Sequence, residues 1–174
     1  MGKNIEIKAR CEDCKKIRKL LKQLPARLEG VDEQVDTFFH VAEGRLKMRE
    51  SSLYGALLIP YLRTDAKGPK ASEYTLIQTP EAQKTKNLLS RILGVRGVIE
   101  KRREIYIYKN VRIHLDQVKN IGGFIEFEAV VSPHDNETAS HSNIDYLMTY
   151  LHIREKDLIS GAYIDILEKM EQEH

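Results

Sequence analysis

Hydrophobic and polar residues alternate in many short runs along this chain. Successive side chains of a β-strand point to opposite faces, so such alternation predicts half-buried strands. The alternating runs predict strands at 3–10, 33–41, 45–51, 56–64, 72–78, 98–108, 111–118 and 124–131. Many antiparallel strands with few helices favour an α+β fold with one closed or strongly curved sheet.

Apolar residues at helical spacing predict the helices between these strands. Leu and Ile residues recur at three- and four-residue intervals over 12–24, and Pro25 ends that segment. A second helix is predicted over 79–93, where Thr-Pro-Glu forms the start and Gly94 the stop. Two more helices are predicted at 143–151 and 163–172, and the polar segment 132–142 is predicted to be a loop.

Length and composition fit one domain spanning 1–174. The 174 residues are 41% hydrophobic and 31% charged, with 28 basic and 26 acidic side chains. This near balance argues against a disordered acidic segment and against a strongly basic nucleic-acid-binding protein. The longest apolar run, 56–62, contains Pro60 and is too short to cross a bilayer. Since no apolar export signal follows Met1, the sequence predicts a cytoplasmic protein without membrane association.

The two cysteines, Cys11 and Cys14, form a single CxxC beside the first predicted helix. A structural zinc ion would need two further ligands at a recognisable spacing, which the histidines do not supply. A redox role would call for a βαβ context, which the strand pattern does not offer. The sequence therefore predicts free, reduced thiols.

Charged residues occupy every second position of several predicted strands, so each set lies on one face of its strand. The sets are Glu6 and Lys8; Arg45, Lys47 and Arg49; Lys101 and Arg103; Arg112, His114 and Asp116; Glu126 and Glu128. For any one strand, a solvent-facing side over an apolar core is the simpler interpretation. The Lys109-Asn110 turn changes this, because Asn110 favours the left-handed conformation of a two-residue hairpin. That hairpin would pair Arg103 with Asp116 and place both charged sets on one face.

The opposite faces of the same two strands are also partly polar, since they carry Arg102, Glu104, Tyr106, Tyr108 and Gln117. A barrel with a polar interior accounts for both faces, because its lumen can hold a charged ligand while its outside packs against helices. Carboxylates in such a lumen suit Mg²⁺ or Mn²⁺, and clustered Lys and Arg suit a polyphosphate. Together they indicate phosphoryl or nucleotidyl chemistry, with side chains rather than a glycine-rich loop holding the phosphates.

The ordered set of these motifs resembles the CYTH superfamily, the triphosphate tunnel metalloenzymes that include class IV adenylate cyclases and thiamine triphosphatases. Asn4-Ile5-Glu6-Ile7-Lys8 resembles the N-terminal ExExK strand of that superfamily, which is a weak motif by itself. The likeness continues in order through 44–49, 61–63 with Lys70 and Ser72, 100–103, 112–116, 123–128 and 162–167. It therefore covers nearly the whole chain.

This resemblance implies a closed eight-stranded antiparallel β-barrel with flanking helices, which binds a nucleoside or inorganic triphosphate and requires Mg²⁺ or Mn²⁺. By the same analogy, Glu6, Glu126 and Glu128 would ligate the metal. The catalytic residues would be Lys101, Arg103 and Asp116, with Asp116 an auxiliary ligand or an orienting partner for a basic residue. Phosphates would be held by Lys8, Lys47, Arg49, Arg63, Lys70 and Arg112. Tyr163 would lie near the tunnel mouth.

One departure from the family pattern bears on activity: Asn4 stands where ExExK has its first Glu. An amide offers an oxygen ligand but no charge, which weakens one metal site. The expected reaction is either triphosphate hydrolysis or class IV adenylate cyclase-type conversion of ATP to cyclic AMP. The alternative is a non-catalytic nucleotide- or polyphosphate-binding module.

Three further points concern an alternative function, the role of His114 and the oligomeric state. An RNA-binding β-domain is a poorer alternative, because its stacking aromatics would be Tyr106 and Tyr108, which we expect to pack beneath a helix. His114 is interpreted as a hydrogen-bonding structural residue rather than a proton donor. The oligomeric state is left open, and a homodimer would be compatible with the sequence.

Overall fold

The computed structural model describes residues 2–131 and 137–173, which form a β-barrel with helices outside it. The strands are β1 (Gly2–Arg10), β2 (Arg27–Phe39), β3 (Arg45–Ser51), β4 (Gly55–Arg63), β5 (Lys70–Tyr74), β6 (Ile77–Gln78), β7 (Val95–Tyr108), β8 (Val111–Val118) and β9 (Gly122–Val131). The helices are α1 (Cys14–Leu21), α2 (Ala82–Leu93), α3 (Glu137–Tyr150) and α4 (Tyr163–Gln172), with a 3₁₀ turn at Glu155–Asp157. Within these two ranges, no helix has both the length and the apolar character needed to cross a membrane.

Eight strands close into an antiparallel barrel, as predicted. Their order around the ring is β3–β2–β7–β8–β9–β1–β5–β4, and pairing of β3 with β4 closes it. The short strand β6 pairs with β4 at Leu57 and Leu58, next to the residues 61–63 of β4 that pair with β5. Closure leaves the eight barrel strands with neighbours on both sides and encloses every second side chain of each strand.

The β7–β8 hairpin has the predicted register, with Arg103 opposite Asp116 and Ile105 opposite His114. Its turn differs in one detail, because Lys109 rather than Asn110 takes the left-handed conformation, with φ of 52°. The Asn110 side chain instead ties the turn to α3. Its Nδ2 donates to Ser140 Oγ at 2.9 Å, and its Oδ1 accepts from Asn143 Nδ2 at 2.8 Å.

The main hydrophobic core lies between the outside of the barrel and helices α1 and α3. Ile5 and Ile7 of β1 point outward into this core, while Glu6 and Lys8 between them are not part of it. Tyr106 and Tyr108 are buried in the same core, and the Tyr108 ring stacks on Tyr146 of α3 at 5.9 Å. These tyrosines pack beneath a helix, as predicted. Strand alternation thus separates an apolar outer face from a charged inner face.

A second, smaller core holds α4 against the barrel. Ile164 packs there with Phe38, Ile99 and Phe124. Two arginines of the barrel, Arg45 and Arg96, donate to Asp165 of α4 at 3.2 and 2.6 Å. The helix is therefore held by both apolar packing and ion pairs.

Several predicted boundaries differ from the structure. The first helix spans only Cys14–Leu21, with Asp13 accepting from the Lys16 amide at 2.9 Å as its N-terminal cap. The segment predicted as strand 72–78 is divided between β5 and β6, and β2 begins at Arg27 rather than near 33.

The prediction of a loop over 132–142 is wrong for residues 137–142. Residues 132–136 lie outside the described residues, but 137–142 belong to α3. Ser140 is fully buried in that turn and bonds Asn110, so a polar residue there packs against the barrel. Polar composition without apolar spacing concealed this helical turn.

Candidate functional site

The barrel encloses a cavity of about 470 Å³ whose walls are strongly charged. Its basic lining residues are Lys8, Lys47, Arg49, Arg63, Lys101, Arg103 and Arg112, and its acidic ones are Glu6, Glu29, Asp36, Glu126 and Glu128. Ten of the twelve site residues predicted from sequence therefore lie on one cavity. The other two, Lys70 and Asp116, are buried but are not among the residues lining it.

The basic wall is built around one buried carboxylate, Asp36 of β2. Lys47 of β3 and Lys101 of β7 reach its Oδ2 with their Nζ atoms at 3.1 and 2.9 Å. Arg49 donates from Nε and Nη2 to the two Asp36 oxygens, each at 2.7 Å. Three cations thus share one anion, and a surplus of positive charge faces the cavity.

Burial and mutual charge interactions shift the pKa values of the side chains in this basic wall. Burial lowers the pKa of Lys101 well below its usual value, although Asp36 opposes the shift. It also lowers the pKa of Lys47 to about 8, with the charge of Arg49 adding to the effect. Burial alone would raise the pKa of Asp36, but attraction to Arg49, Lys101 and Lys47 lowers it well below its usual range. An anionic ligand in the cavity would stabilise the protonated lysines.

Asp36 is not among the residues predicted from sequence. A signal for it exists, because Asp32, Gln34 and Asp36 alternate along β2 as the charged sets do on the other strands. All three side chains are buried. Acidic residues at every second position are ambiguous alone, since a solvated strand face has the same pattern.

The acidic wall comes from β8, β9 and β1. His114, Glu126 and Glu128 each place a ligand atom within 4.8 Å of the others. Glu6 of β1 lies directly opposite Glu128 in the β1–β9 ladder. Burial, then Glu126 and Glu6, raises the pKa of Glu128 to about 7. These carboxylates repel one another in an enclosed site, which a divalent cation would relieve.

The donor set fits a hard divalent cation. Buried polar atoms normally have a hydrogen-bond partner. The buried Nδ1 of His114 has none in the part of the chain described. Burial, and then the charge of Arg103, lowers the pKa of His114 to about 3, which keeps the imidazole neutral and able to act as a ligand. Carboxylate oxygens with one imidazole suit Mn²⁺ or Mg²⁺.

Arg63 lines the cavity and has guanidinium donors without a partner among the described residues. Its Nη1 donates to Glu6 Oε1 at 3.0 Å, so one predicted metal ligand is here paired with a cation. Its Nε and Nη2 are buried and have no hydrogen-bond partner within the described ranges. Buried polar groups are normally satisfied, so two free guanidinium donors point to an anion with several acceptor oxygens.

Arg103 connects the two walls. Its Nε and Nη2 donate to the two oxygens of Asp116 at 2.7 and 2.6 Å, and Nη2 also lies 3.5 Å from Glu126. The Tyr163 hydroxyl donates to Asp116 at 2.6 Å, and the Tyr163 ring lies 4.0 Å from Lys8 Nζ. Both Asp116 oxygens are thus engaged by other side chains, which fits an orienting partner better than a metal ligand.

The remaining predicted residues mark the edges of the site. Lys70 donates to the Ala66 carbonyl at 3.0 Å. The Arg112 side chain is half exposed and lies 3.7 Å from Glu128. Asn4 lines the cavity, and its Oδ1 accepts from the Tyr74 hydroxyl at 3.3 Å.

One part of the lining is apolar and aromatic. It includes Leu57, Ile59, Tyr61, Leu76 and Tyr54, of which Tyr54 and Leu76 are exposed. This edge of the cavity can accept an uncharged organic group, while the charged interior cannot.

Comparison with known proteins agrees with this architecture. The profile of the CYTH domain matches residues 2–163. A Methanocaldococcus jannaschii protein named "Putative adenylate cyclase MJ0240" is 22% identical over 175 residues, covering 93% of this chain and 97% of that protein.

Solved structures share the fold along nearly their whole length. The PH1012 protein of Pyrococcus horikoshii OT3 is 26% identical with a TM-score of 0.78, and the match covers 95% of this chain and 98% of that one. HpAC1 from Hippeastrum, described as a "putative adenylyl cyclase" with a dominant triphosphatase activity, is 12% identical with a TM-score of 0.66, covering 97% and 96%. At that identity the likeness establishes the fold alone.

Proposed function

Because this chain belongs to the CYTH domain family, we propose that it is a divalent-metal-dependent enzyme acting on a nucleoside or inorganic triphosphate inside the barrel. The observation that carries the proposal is the enclosed surplus of basic side chains facing a carboxylate–histidine cluster, with two Arg63 donors that have no partner among the described residues. A triphosphate with its metal supplies the missing charges of both walls.

Each wall has its own part in binding. The cations around Asp36, together with Arg63, bind phosphate oxygens. Glu126, Glu128 and His114 hold Mg²⁺ or Mn²⁺, with Glu6 beside them. When bound, the metal neutralises phosphate charge and orients the reacting groups. The Arg103–Asp116–Tyr163 chain keeps the Arg103 guanidinium aimed between the two walls.

Hydrolysis is the leading reaction. In it, a water molecule attacks the terminal phosphorus, the bond from that phosphorus to the bridging oxygen breaks, and the diphosphate part of the substrate leaves. The attacked phosphorus and the water, after losing a proton, become orthophosphate, and the lysines and arginines stabilise the charge that develops on the phosphate oxygens. The triphosphatase activity named for HpAC1 supports this reaction on the same fold.

Cyclisation of ATP is the second candidate. The ribose 3′-hydroxyl would attack the α-phosphorus and pyrophosphate would leave. The apolar edge at Tyr54 and Leu76 favours it, because a nucleoside could rest there while the phosphates enter the charged interior. The name of the Methanocaldococcus jannaschii relative supports the same reaction.

A product assay tests the proposal. Purified protein is incubated with ATP, thiamine triphosphate or inorganic triphosphate and either Mg²⁺ or Mn²⁺, and orthophosphate, pyrophosphate and cyclic AMP are resolved. We expect metal-dependent orthophosphate release from at least one substrate. Cyclic AMP with pyrophosphate would identify the cyclase instead. Tight triphosphate binding without turnover would identify a binding module and refute the enzyme proposal.

The metal assignment has its own variant. Glu126→Gln removes one carboxylate charge at nearly constant volume, and we expect at least ~100-fold slower metal-dependent turnover because a metal ligand is lost. Glu100→Gln is the matched control, since Glu100 is exposed and pairs with Lys119. Triphosphate binding measured without metal should persist in both variants. Unchanged turnover in Glu126→Gln would overturn the metal assignment.

A further inference from the structure

The two cysteines lie together outside the cavity, where β1 leads into α1. Their Sγ atoms are 3.2 Å apart and both thiols are free. Cys11 is buried, whereas Cys14 is partly exposed. Forming a disulfide would bring the sulfurs to about 2.05 Å, a shift of about 1 Å from their present separation.

The backbone fixes both cysteines against β9. The Cys11 amide donates to the Gly123 carbonyl at 3.0 Å. A Cβ at Gly123 would lie 2.5 Å from the Cys11 oxygen and 2.9 Å from Cys14 Sγ, so only glycine leaves room for this approach. The pair is therefore held in position by the barrel and not by a loose loop.

Local charge divides the two thiols into different roles. Cys14 is the first residue of α1, at the positive end of the helix dipole, and Arg18 follows one turn later. The hydrogen bond with Cys11, assisted by Arg18, lowers the pKa of Cys14 to about 7 against the effect of burial. The same hydrogen bond, and then burial, raises the pKa of Cys11. Near neutral pH, a substantial fraction of the partly exposed Cys14 is therefore thiolate, while Cys11 stays protonated.

We propose that Cys11 and Cys14 form a dithiol–disulfide couple that reacts with low-molecular-weight disulfides, with Cys14 as the attacking thiol. The Cys14 thiolate attacks one sulfur of the small disulfide, forms a mixed disulfide and releases one small thiolate. Cys11 then loses its proton and attacks the Cys14 sulfur, which forms the Cys11–Cys14 bond and releases the second small thiol. Two protein thiols are oxidised, and one small disulfide is reduced to two thiols.

The absence of a βαβ context, which argued from sequence against a redox role, does not weigh against this couple. What thiol–disulfide exchange needs is a thiolate with access to solvent and a second sulfur within reach. Both are provided here by a strand-to-helix junction. The proposal is independent of the chemistry inside the barrel.

Oxidised glutathione is the probe. Protein is incubated in buffers of graded oxidised-to-reduced glutathione ratio, quenched with a thiol-alkylating reagent and analysed by intact mass. The wild-type chain should lose both alkylatable thiols without retaining glutathione. Cys11→Ser should stop at the mixed disulfide, and Cys14→Ser should react at least ~10-fold more slowly because its remaining thiol is buried and protonated.

Two results would overturn the proposal. One is a wild-type chain that keeps both thiols alkylatable in fully oxidised glutathione. The other is a Cys14→Ser variant that reacts as fast as the wild type. Cys11→Ala serves as a second variant if Cys11→Ser does not fold, and the rate of Cys14 alkylation by iodoacetamide in wild type should rise with pH around a midpoint of about 7.

Discussion

Lys101→Met should separate the stability of this protein from its capacity to bind triphosphate. Lys101 Nζ is fully enclosed and lies 2.9 Å from Asp36, which also binds Lys47 and Arg49. Methionine has a similar shape without the charge. The substitution therefore removes one of three mutually repelling cations and leaves Asp36 paired with the other two.

The structure sets the expected magnitudes. Removing one partner of a buried ion pair is costly when it leaves the other charge uncompensated, but Asp36 keeps Lys47 and Arg49 as partners. Since the substitution also removes the cost of burying the Lys101 charge, we expect the free energy of unfolding to rise by about 0–1 kcal/mol. For a chain of this size that is a gain in Tm of about 0–4 °C. A charge-assisted hydrogen bond contributes about 1.5–3 kcal/mol, so losing one to phosphate should weaken triphosphate binding about 10- to 150-fold.

Two measurements on the same variant test this reasoning. Calorimetric titration with inorganic triphosphate at fixed Mg²⁺ gives the affinity, and thermal unfolding without ligand gives the stability. Lys119→Met is the matched control, since Lys119 is exposed and pairs only at the surface with Glu100 among the contacts described. It should leave both quantities nearly unchanged. A Lys101→Met variant that binds as tightly as wild type, or that loses more than ~4 °C in Tm, would refute the assignment.

Two further predictions concern the walls of the barrel. Triphosphate affinity should fall as the pH rises above about 8, because Lys47, whose pKa burial lowers to about 8, must then take up a proton on binding. The loss of affinity approaches tenfold per pH unit in titrations from pH 7 to 9.5. Because arginine stays protonated over this range, Lys47→Arg should remove the part of the pH dependence that comes from Lys47. Asp32→Ala should cost about 3 kcal/mol, read as a Tm loss of ~6–12 °C, because this fully buried carboxylate accepts from the side chains of Gln34 and Ser51. An unchanged Tm would show that these hydrogen bonds do not contribute to stability. The role predicted for Asp32 is purely structural, so a change of more than threefold in triphosphate affinity, measured at a temperature where the variant is folded, would contradict it.

Much of the architecture could be predicted because strand alternation is a local property. Glu6 and Lys8 face inward and Ile5 and Ile7 outward simply because neighbouring residues of a strand alternate. The register of the β7–β8 hairpin follows from its two-residue turn, so the pairing of Arg103 with Asp116 could also be predicted. Where the pattern was weak, as in the polar first turn of α3, the prediction was wrong.

Most of the charged residues that line the cavity could be predicted from the sequence, but the side chains with which each of them pairs could not. Asp36 meets Lys47 from 11 residues away and Lys101 from 65 residues away, and no local pattern states that these three converge. The same holds for His114, whose imidazole has a ring nitrogen within 4.8 Å of ligand atoms of Glu126 and Glu128.

By itself, the sequence determined which side chains share a strand face and therefore which charges point into the barrel. Only the tertiary structure decided which of them meet, because pairing of β3 with β4 closes the ring and carries distant strands to opposite sides of one cavity. Closure also excludes water, and that exclusion lowers the pKa of Lys47 and raises the pKa of Glu128. Desolvation depends on every atom surrounding a group, so it is a property of the folded barrel and not of any segment of the chain.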